Sequence, residues 1–376
     1  MDVLTGFLAR LSTAPTAPTS PGTPSPALLS LLETSPILKR NVTVPDLAGI
    51  LEENRVAHIR GCRASGKTIL ALQLYKHYEE ASVPVVFLND WTDTQPHESS
   101  YLDVLVRHAV SKGYTFISRD LISEQDIVFI LDEAHHSFQD TELWNAFLRI
   151  QHEDPSFPAG AKVCIFSRYG NQMSGPEALI EPRSSARDEI KQEVSIGSPS
   201  RIPTPKMPTF FDSEESSSVV HYFLVYRDIP YDCDVRAFIS SITNRHPGAV
   251  TALLLLIGEV YGRKKNMDQI DLYDIVKILE DEDNAFGFLA TTILGSCCVD
   301  PSKLTPEMAM VMQKAATDSY LEWESEAVRR CYEEGWLHRE AIRGYTPLFR
   351  YALPSMLHLR LTGYLLRKWK SAQQSN

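Results

Sequence analysis

Residues Gly61–Thr68 read Gly-Cys-Arg-Ala-Ser-Gly-Lys-Thr and fit the pattern GxxxxGK[ST] at every fixed position. Each fixed residue type has a chemical task there. The glycines let backbone N–H groups turn inward onto phosphate oxygens. Lys67 can reach the β- and γ-phosphates of a nucleotide, and the Thr68 hydroxyl can ligate Mg²⁺. The nucleotide-binding set is therefore Gly61, Ala64, Ser65, Gly66, Lys67, Thr68 and Ile69. A helix starting at this point directs the positive end of its dipole at the anion. The other reading of such a stretch is a glycine-bearing turn that merely joins a strand to a helix.

The flanking residues decide between the two. Val56–Ile59 is a short strand-like run, and Ile69–Glu80 follows with Leu70, Leu74 and Tyr78 four apart on one helical face. A second chemical pair lies downstream, where the apolar run Ile127–Leu131 ends in Asp132-Glu133. An apolar strand ending in two acids is the expected partner of a phosphate loop. We expect this strand beside the first one, with Asp132 at Mg²⁺ and Glu133 placed to orient and deprotonate the attacking water. Asp132–His135 also spells Asp-Glu-Ala-His, as in one helicase class, but the chain carries one nucleotide core and no later helicase-type arginine motif. A fourth run, Val163–Phe166, ends in Ser167-Arg168, where Arg168 would stabilise charge in phosphoryl transfer. A surface arginine after a strand reads the same way. No Asn-Lys-x-Asp or Thr-Lys-x-Asp element for guanine is present, which favours ATP over GTP.

These residues need a scaffold, and the apolar pattern supplies one. Val83–Leu88 adds a further strand-like run, while Ser99–Lys112 (Leu102, Leu105, Val106, Ala109) and Thr141–Ile150 (Leu143, Phe147, Ile150) have helical spacing. Short, wholly apolar runs alternating with helices predict a doubly wound α/β domain: a parallel sheet covered on both faces, binding ligand at its carboxyl edge. Ser12–Pro26, built from Ser, Thr, Pro and Ala, reads as a mobile linker within a disordered or linker region 1–36. The core then spans 37–210, interrupted by a Ser/Pro-rich insertion over 173–208 in which Glu193–Ile196 is a short strand. Residues 211–318 carry helical patterns at Asp232–Thr243, Pro247–Tyr261 and Ile270–Leu279, and Val250–Ile257 is apolar all round, as in a fully buried helix. Residues 319–370 read as helix (Glu324–Glu334), Gly335, strand (Trp336–Leu337), turn (Arg343–Gly344), strand (Leu348–Tyr351) and helix (Ser355–Lys368), the order of a winged helix.

Bulk composition bounds the function. The 376 residues suit two or three domains, and 43% hydrophobic with 23% charged residues is ordinary for a globular protein. The longest apolar run, near Ala249–Ile257, is far short of a membrane span, and Asp2 replaces the basic start of a signal peptide. The six cysteines form no CxxC pair, so neither a disulfide framework nor a zinc site is indicated, and reduced thiols in the cytoplasm or nucleus are expected. A net charge of −11 argues against coating nucleic acid, yet residues 326–376 hold nine Lys/Arg against four Glu.

The set Ile59-Arg60-Gly61, Ser65-Gly66-Lys67-Thr68, Leu131-Asp132-Glu133-Ala134, Leu143-Trp144-Asn145, Cys164–Gly170 and His246–Val250 resembles the P-loop ATPase module of Crinkler-type proteins of fungi and oomycetes. That module is similar to AAA+ and signal-transducing (STAND) ATPases with a helical lid and a winged helix. The resemblance spans roughly Ile37 to Leu366. It implies Lys67 and Thr68 as phosphate and Mg²⁺ ligands, and Asp132 and Glu133 as the metal-side and water-side acids. It also implies that the His246-Pro247-Gly248 turn presses the helical lid on the adenine, with Pro247 as a nucleotide-binding residue. A proline at the first turn of a buried helix is the alternative. Where the family loop often carries prolines, this chain has Cys62 and Arg63; with few residues after the expected winged helix, we expect no effector domain of the kind that can accompany such modules.

Three functions follow as expectations. The first is an ATP-binding switch with slow Mg²⁺-dependent hydrolysis, read by a protein partner or by self-association. The second is a nucleic-acid-directed ATPase of a Crinkler or mobile-element type, working through the basic end at Arg360, Arg367, Lys368 and Lys370. The third is a non-hydrolysing scaffold that binds ATP. Arg63, Arg149 and Arg168 are all candidates for an arginine finger.

Overall fold

Five parallel strands carry the first half of the molecule. The computed structural model describes residues 22–24, 29, 40–89, 100–137, 140, 142, 143, 147, 160–167, 193–195, 210–262, 268–318, 321, 325–341 and 349–374. The strands are β1 (Val56–Arg60), β2 (Val85–Leu88), β3 (Val128–Leu131), β4 (Lys162–Ser167) and β5 (Glu193–Ser195), in the order β2-β3-β4-β1-β5. The predicted short strand Glu193–Ile196 thus pairs with β1, His58 against Glu193.

The order corrects one expectation. Strand β3 does not lie beside β1, because β4 pairs with both and separates them. Sequence distance hides this: β4 follows β3 in the chain yet inserts between two earlier strands. The acids after β3 are therefore separated from the end of β1 by an intervening strand.

Both faces of the sheet are covered, which explains why β2 and β3 are wholly apolar and buried rather than alternating. Helices α1 (Thr43–Asn54) and α2 (Lys67–Glu80) pack together and against the sheet, with Tyr75 of α2 edge-on to Phe87 at 5.9 Å. On the other face α3 (Tyr101–Ser111) joins a core made of Val86, Leu88, Phe129, Leu131, Val163 and Ile165. Leu70, Leu74 and Tyr78 are buried as their spacing predicts, as are Leu143 and Phe147. In α3, Val104 is fully buried while Val106 is only half-buried, so the stripe sits slightly off the expected one. A full helix, α1, precedes β1.

The outer edge of β2 is met by pieces from two places, Gly22 and the turn after α3. Phe87 N–H donates to the Gly22 carbonyl (2.9 Å), Val85 N–H to the Tyr114 hydroxyl (3.3 Å), and Lys112 Nζ donates to the Val85 carbonyl (2.7 Å). Residues Gly22–Pro24 thus depart from the expected mobile linker, because a sheet edge offers an unpaired backbone row that a passing chain can satisfy. The remaining residues of the 1–21 stretch, most of the 173–208 insertion, Trp144-Asn145, Arg149, Arg168-Tyr169-Gly170 and the Arg343–Gly344 turn lie outside the described residues.

The chain divides into two compact units. One holds the sheet, running to Arg60 and again from Lys67 to Ser195; the other holds Gly61–Gly66 together with the described residues from Phe210 onward. The second unit contains α4 (Ser213–Tyr226), α5 (Cys233–Ile242), α6 (Pro247–Tyr261), α7 (Leu272–Glu280), α8 (Glu282–Ala290), α9 (Ile293–Cys297), α10 (Pro306–Asp318), α11 (Glu326–Glu333), the antiparallel pair β6 (His338–Ala341) and β7 (Phe349–Ala352), and α12 (Met356–Gln374). Asp212 with Glu215 and Asp271 with Asp274 form reciprocal capping boxes that start α4 and α7. Helix α6 is buried along nearly its whole length, with only Thr251, Leu255 and its last residues less covered. Strand β6 begins at His338, later than the expected Trp336–Leu337. The cause is local: Gly335 (φ 76) ends α11 and Trp336 N–H closes back onto the Cys331 carbonyl at 3.0 Å, so Trp336 belongs to the helix stop. No described helix is long and apolar enough to cross a membrane.

His358 of α12 is buried, its Nδ1 is 2.8 Å from the Ser355 hydroxyl, and its ring meets that of His246 at 4.6 Å. Burial, and then the nearby His338, push its pKa from 6.5 down to about 3. The folded state therefore resists taking up a proton that the unfolded chain accepts. The contribution is intact above pH 6.5 and is lost as pH falls towards 3, by up to about 1.4 kcal/mol per pH unit. His358→Leu should flatten the loss of stability between about pH 4 and 6.5 in urea titrations; an unaltered slope would assign the effect elsewhere.

Candidate functional site

The loop from β1 to α2 has the backbone shape its sequence predicts. Ala64 (φ 52) and Gly66 (φ 88) are both left-handed. Left-handed residues in such a turn aim successive N–H groups inward and make an anion-binding concavity. Ser65 is fully buried, and Gly61 is buried beside it in the chain. Helix α2 starts at Lys67, directly after the loop, so the positive end of its dipole lies there. Ile69 is half-buried in the first turn of α2.

Asp132 follows β3, and its backbone N–H is held by the Leu88 carbonyl at 2.7 Å. Its carboxylate is fully buried and accepts a hydrogen bond from the Thr68 hydroxyl, with Lys67 close enough to act on its charge. Lys67, Thr68 and Asp132, predicted from motifs some sixty residues apart, are thus brought together. Burial first, then the Glu133 charge, raise the Asp132 pKa from 3.8 to about 6; Thr68, Lys67 and the Glu133 N–H (3.0 Å) act in the opposite direction. A buried carboxylate under this tension, beside a hydroxyl, is a hard oxygen donor set of the kind that suits Mg²⁺. Glu133 itself sits at φ 50, an uncommon conformation for a residue with a Cβ. Strain of that sort concentrates at functional positions.

At the end of β4, Ser167 is fully buried and its hydroxyl lies 2.7 Å from His58 Nε2. Sequence reasoning singled out Ser167-Arg168 but missed His58. The available signal was a polar residue in the middle of an otherwise apolar strand. Arg168 lies outside the described residues.

The loop residues 61–66 make a second set of contacts, all within the helical unit. His246 Nε2 is 3.3 Å from Cys62 Sγ, and His246 Nδ1 accepts the Ala249 N–H at 3.2 Å, capping α6. Gly248 N–H donates to the Ala64 carbonyl at 3.0 Å. Arg63, a candidate arginine finger, instead donates to Glu334 (3.2 Å) and to the Ser296 carbonyl (3.4 Å). Pro247 is buried at the first position of α6.

No protein-family model matches the chain, and no curated protein matches it. Solved structures do. A Walker-type ATPase of Pyrococcus abyssi aligns over 87% of this chain and 96% of its own, with a TM-score of 0.51 and 11% identity. The chain shares that ATPase's fold. The ORC2 protein of Aeropyrum pernix, in ADPNP–ADP complexes, aligns over 90% and 98% at 14% identity and a TM-score of 0.39. The RuvB Holliday junction branch migration motor of Thermotoga maritima aligns over 75% and 80% at 12% identity and a TM-score of 0.36.

The raised pKa of Asp132 makes a prediction for the ligand-free protein. Its stabilising contribution is full below pH 3.8 and is lost as pH rises through about 6. Asp132→Asn, which keeps an acceptor for Thr68, should raise the apo melting temperature at pH 7.5 and leave it nearly unchanged near pH 4. Equal melting temperatures at both pH values would show that the carboxylate is not under this tension.

Proposed function

We propose that the protein is an ATP-binding switch with slow Mg²⁺-dependent hydrolysis. The observation that carries the proposal is the convergence of Lys67, Thr68 and the buried Asp132 at the start of α2, directly after a loop with two left-handed residues. The loop N–H groups and Lys67 would hold the phosphates. Thr68 and Asp132 would hold Mg²⁺, which when bound neutralises charge on the β- and γ-phosphates. Glu133 would orient the attacking water and accept its proton. Ser167, fixed by His58, offers a hydroxyl at the neighbouring strand tip. The helices α4–α10 would serve as the lid, and α11, β6, β7 and α12 as a winged-helix-like element, in keeping with the Crinkler-type resemblance. Loop contacts to the α6 turn give bound phosphate a route to the helices, which supports a switch rather than a passive scaffold.

The alternative, a nucleic-acid-directed ATPase, rested on the basic carboxyl end. Those side chains, most of them exposed, have partners within the same unit. Arg367 and Arg360 meet Glu282, Lys368 pairs with Asp283 (3.0 Å), and Lys370 donates to Gln313 (2.7 Å). A basic face partly neutralised by its own acidic neighbours offers less to a phosphate backbone, so the switch is the better-supported reading.

Lys67→Ala should abolish ATP binding by calorimetry; unchanged affinity would remove the loop from this role. Glu133→Gln should bind ATP normally and lower turnover at least about a hundredfold. Undiminished turnover would take the water-activating role away from Glu133.

A further inference from the structure

The turn that opens α6 meets the phosphate loop where its shape is most demanding. Ala64 holds φ 52, which a residue with a Cβ rarely adopts. Its carbonyl accepts the Gly248 N–H at 3.0 Å, and a Cβ placed on Gly248 would fall 2.7 Å from the Ala64 Cβ and 3.0 Å from its carbonyl oxygen. Gly248 is therefore glycine for a steric reason: the two backbones approach too closely for two Cβ atoms. Two residues earlier, His246 is fully buried, and its Nδ1 accepts the Ala249 N–H. With Nδ1 an acceptor, the neutral ring carries its proton on Nε2 and donates it to Cys62 Sγ. Between these two contacts Arg63 is held by Glu334 and the Ser296 carbonyl, and Gly335 packs against its backbone. Three consecutive loop residues are thus gripped by elements from three places in the helical unit.

We propose that His246 and Gly248 are positioning residues that hold Ala64 in its left-handed conformation and so set the phosphate-binding shape of the loop before any nucleotide arrives. The proposal rests on the ATP-binding reading above and deepens it. The His246-Pro247-Gly248 turn acts on the loop backbone rather than on the base. Preformed binding geometry lowers the ordering cost of association, so loosening the grip appears first in affinity.

The test is a two-residue cycle in the full chain, read by Mg²⁺-ATP affinity and by amide exchange over residues 61–66 in the ligand-free protein. Gly248→Ala should weaken ATP binding about ten- to a hundredfold and speed exchange in the loop. Helix propensity alone favours alanine at that position, so a loss reports the contact with Ala64. Adding Ala64→Gly removes the opposing Cβ and suits the left-handed φ, and it should return both affinity and exchange to within about threefold of the parent. Wild-type behaviour of Gly248→Ala, or failure of Ala64→Gly to rescue it, would overturn the proposal. If Gly248→Ala does not fold, His246→Ala must accelerate loop exchange, and protection equal to the parent would refute the idea. A parent protein that binds no ATP would refute the nucleotide reading, while the exchange data would still decide whether the turn shapes the loop.

Discussion

A carboxylate held out of water is the constraint on which the carboxyl edge of the sheet turns. Asp132 sits at the end of a wholly apolar strand, and the same burial that makes β3 a good core strand leaves its terminal acid without solvent. Charge there is tolerable only because Thr68 and Lys67 stand at the start of α2. The arrangement is tuned but incomplete, since burial still outweighs those partners and keeps the group easier to protonate than an ordinary aspartate. A cation finishing the set would relieve that imbalance. The sheet and the helix start together hold one ionisable group in this position.

Much of this was readable in the sequence because it is local. The glycine pattern, the lysine and threonine after it, and the apolar run with two acids all state their roles within a few residues. The fully apolar strands announced a sheet with two covered faces. Strand order was not readable, because nothing in β4 says that it will insert between β1 and β3. The same holds for the Cys62–His246 contact, whose partners are 184 positions apart. His58 and Ser167 are a milder case: a histidine inside an apolar strand signals a buried partner, but only the register between β1 and β4 reveals which one.

The helical unit shows how a short turn can matter more than the long helix it starts. His246, Pro247 and Gly248 look like an ordinary helix opening, and they do cap and start α6. The same three positions also carry the contacts to Cys62 and Ala64. The basic residues near the carboxyl end do face solvent, but several of them meet polar side chains of α8 and α10.

The covered margin of β2 has a consequence for how this protein is handled. Phe87 offers its amide to Gly22, so a segment that looks dispensable by composition shields one side of the sheet from joining a foreign strand. Expression variants trimmed past Gly22 would bare that amide and invite chain-to-chain pairing. Solubility problems in such a variant would then trace to a missing cover rather than to a damaged core.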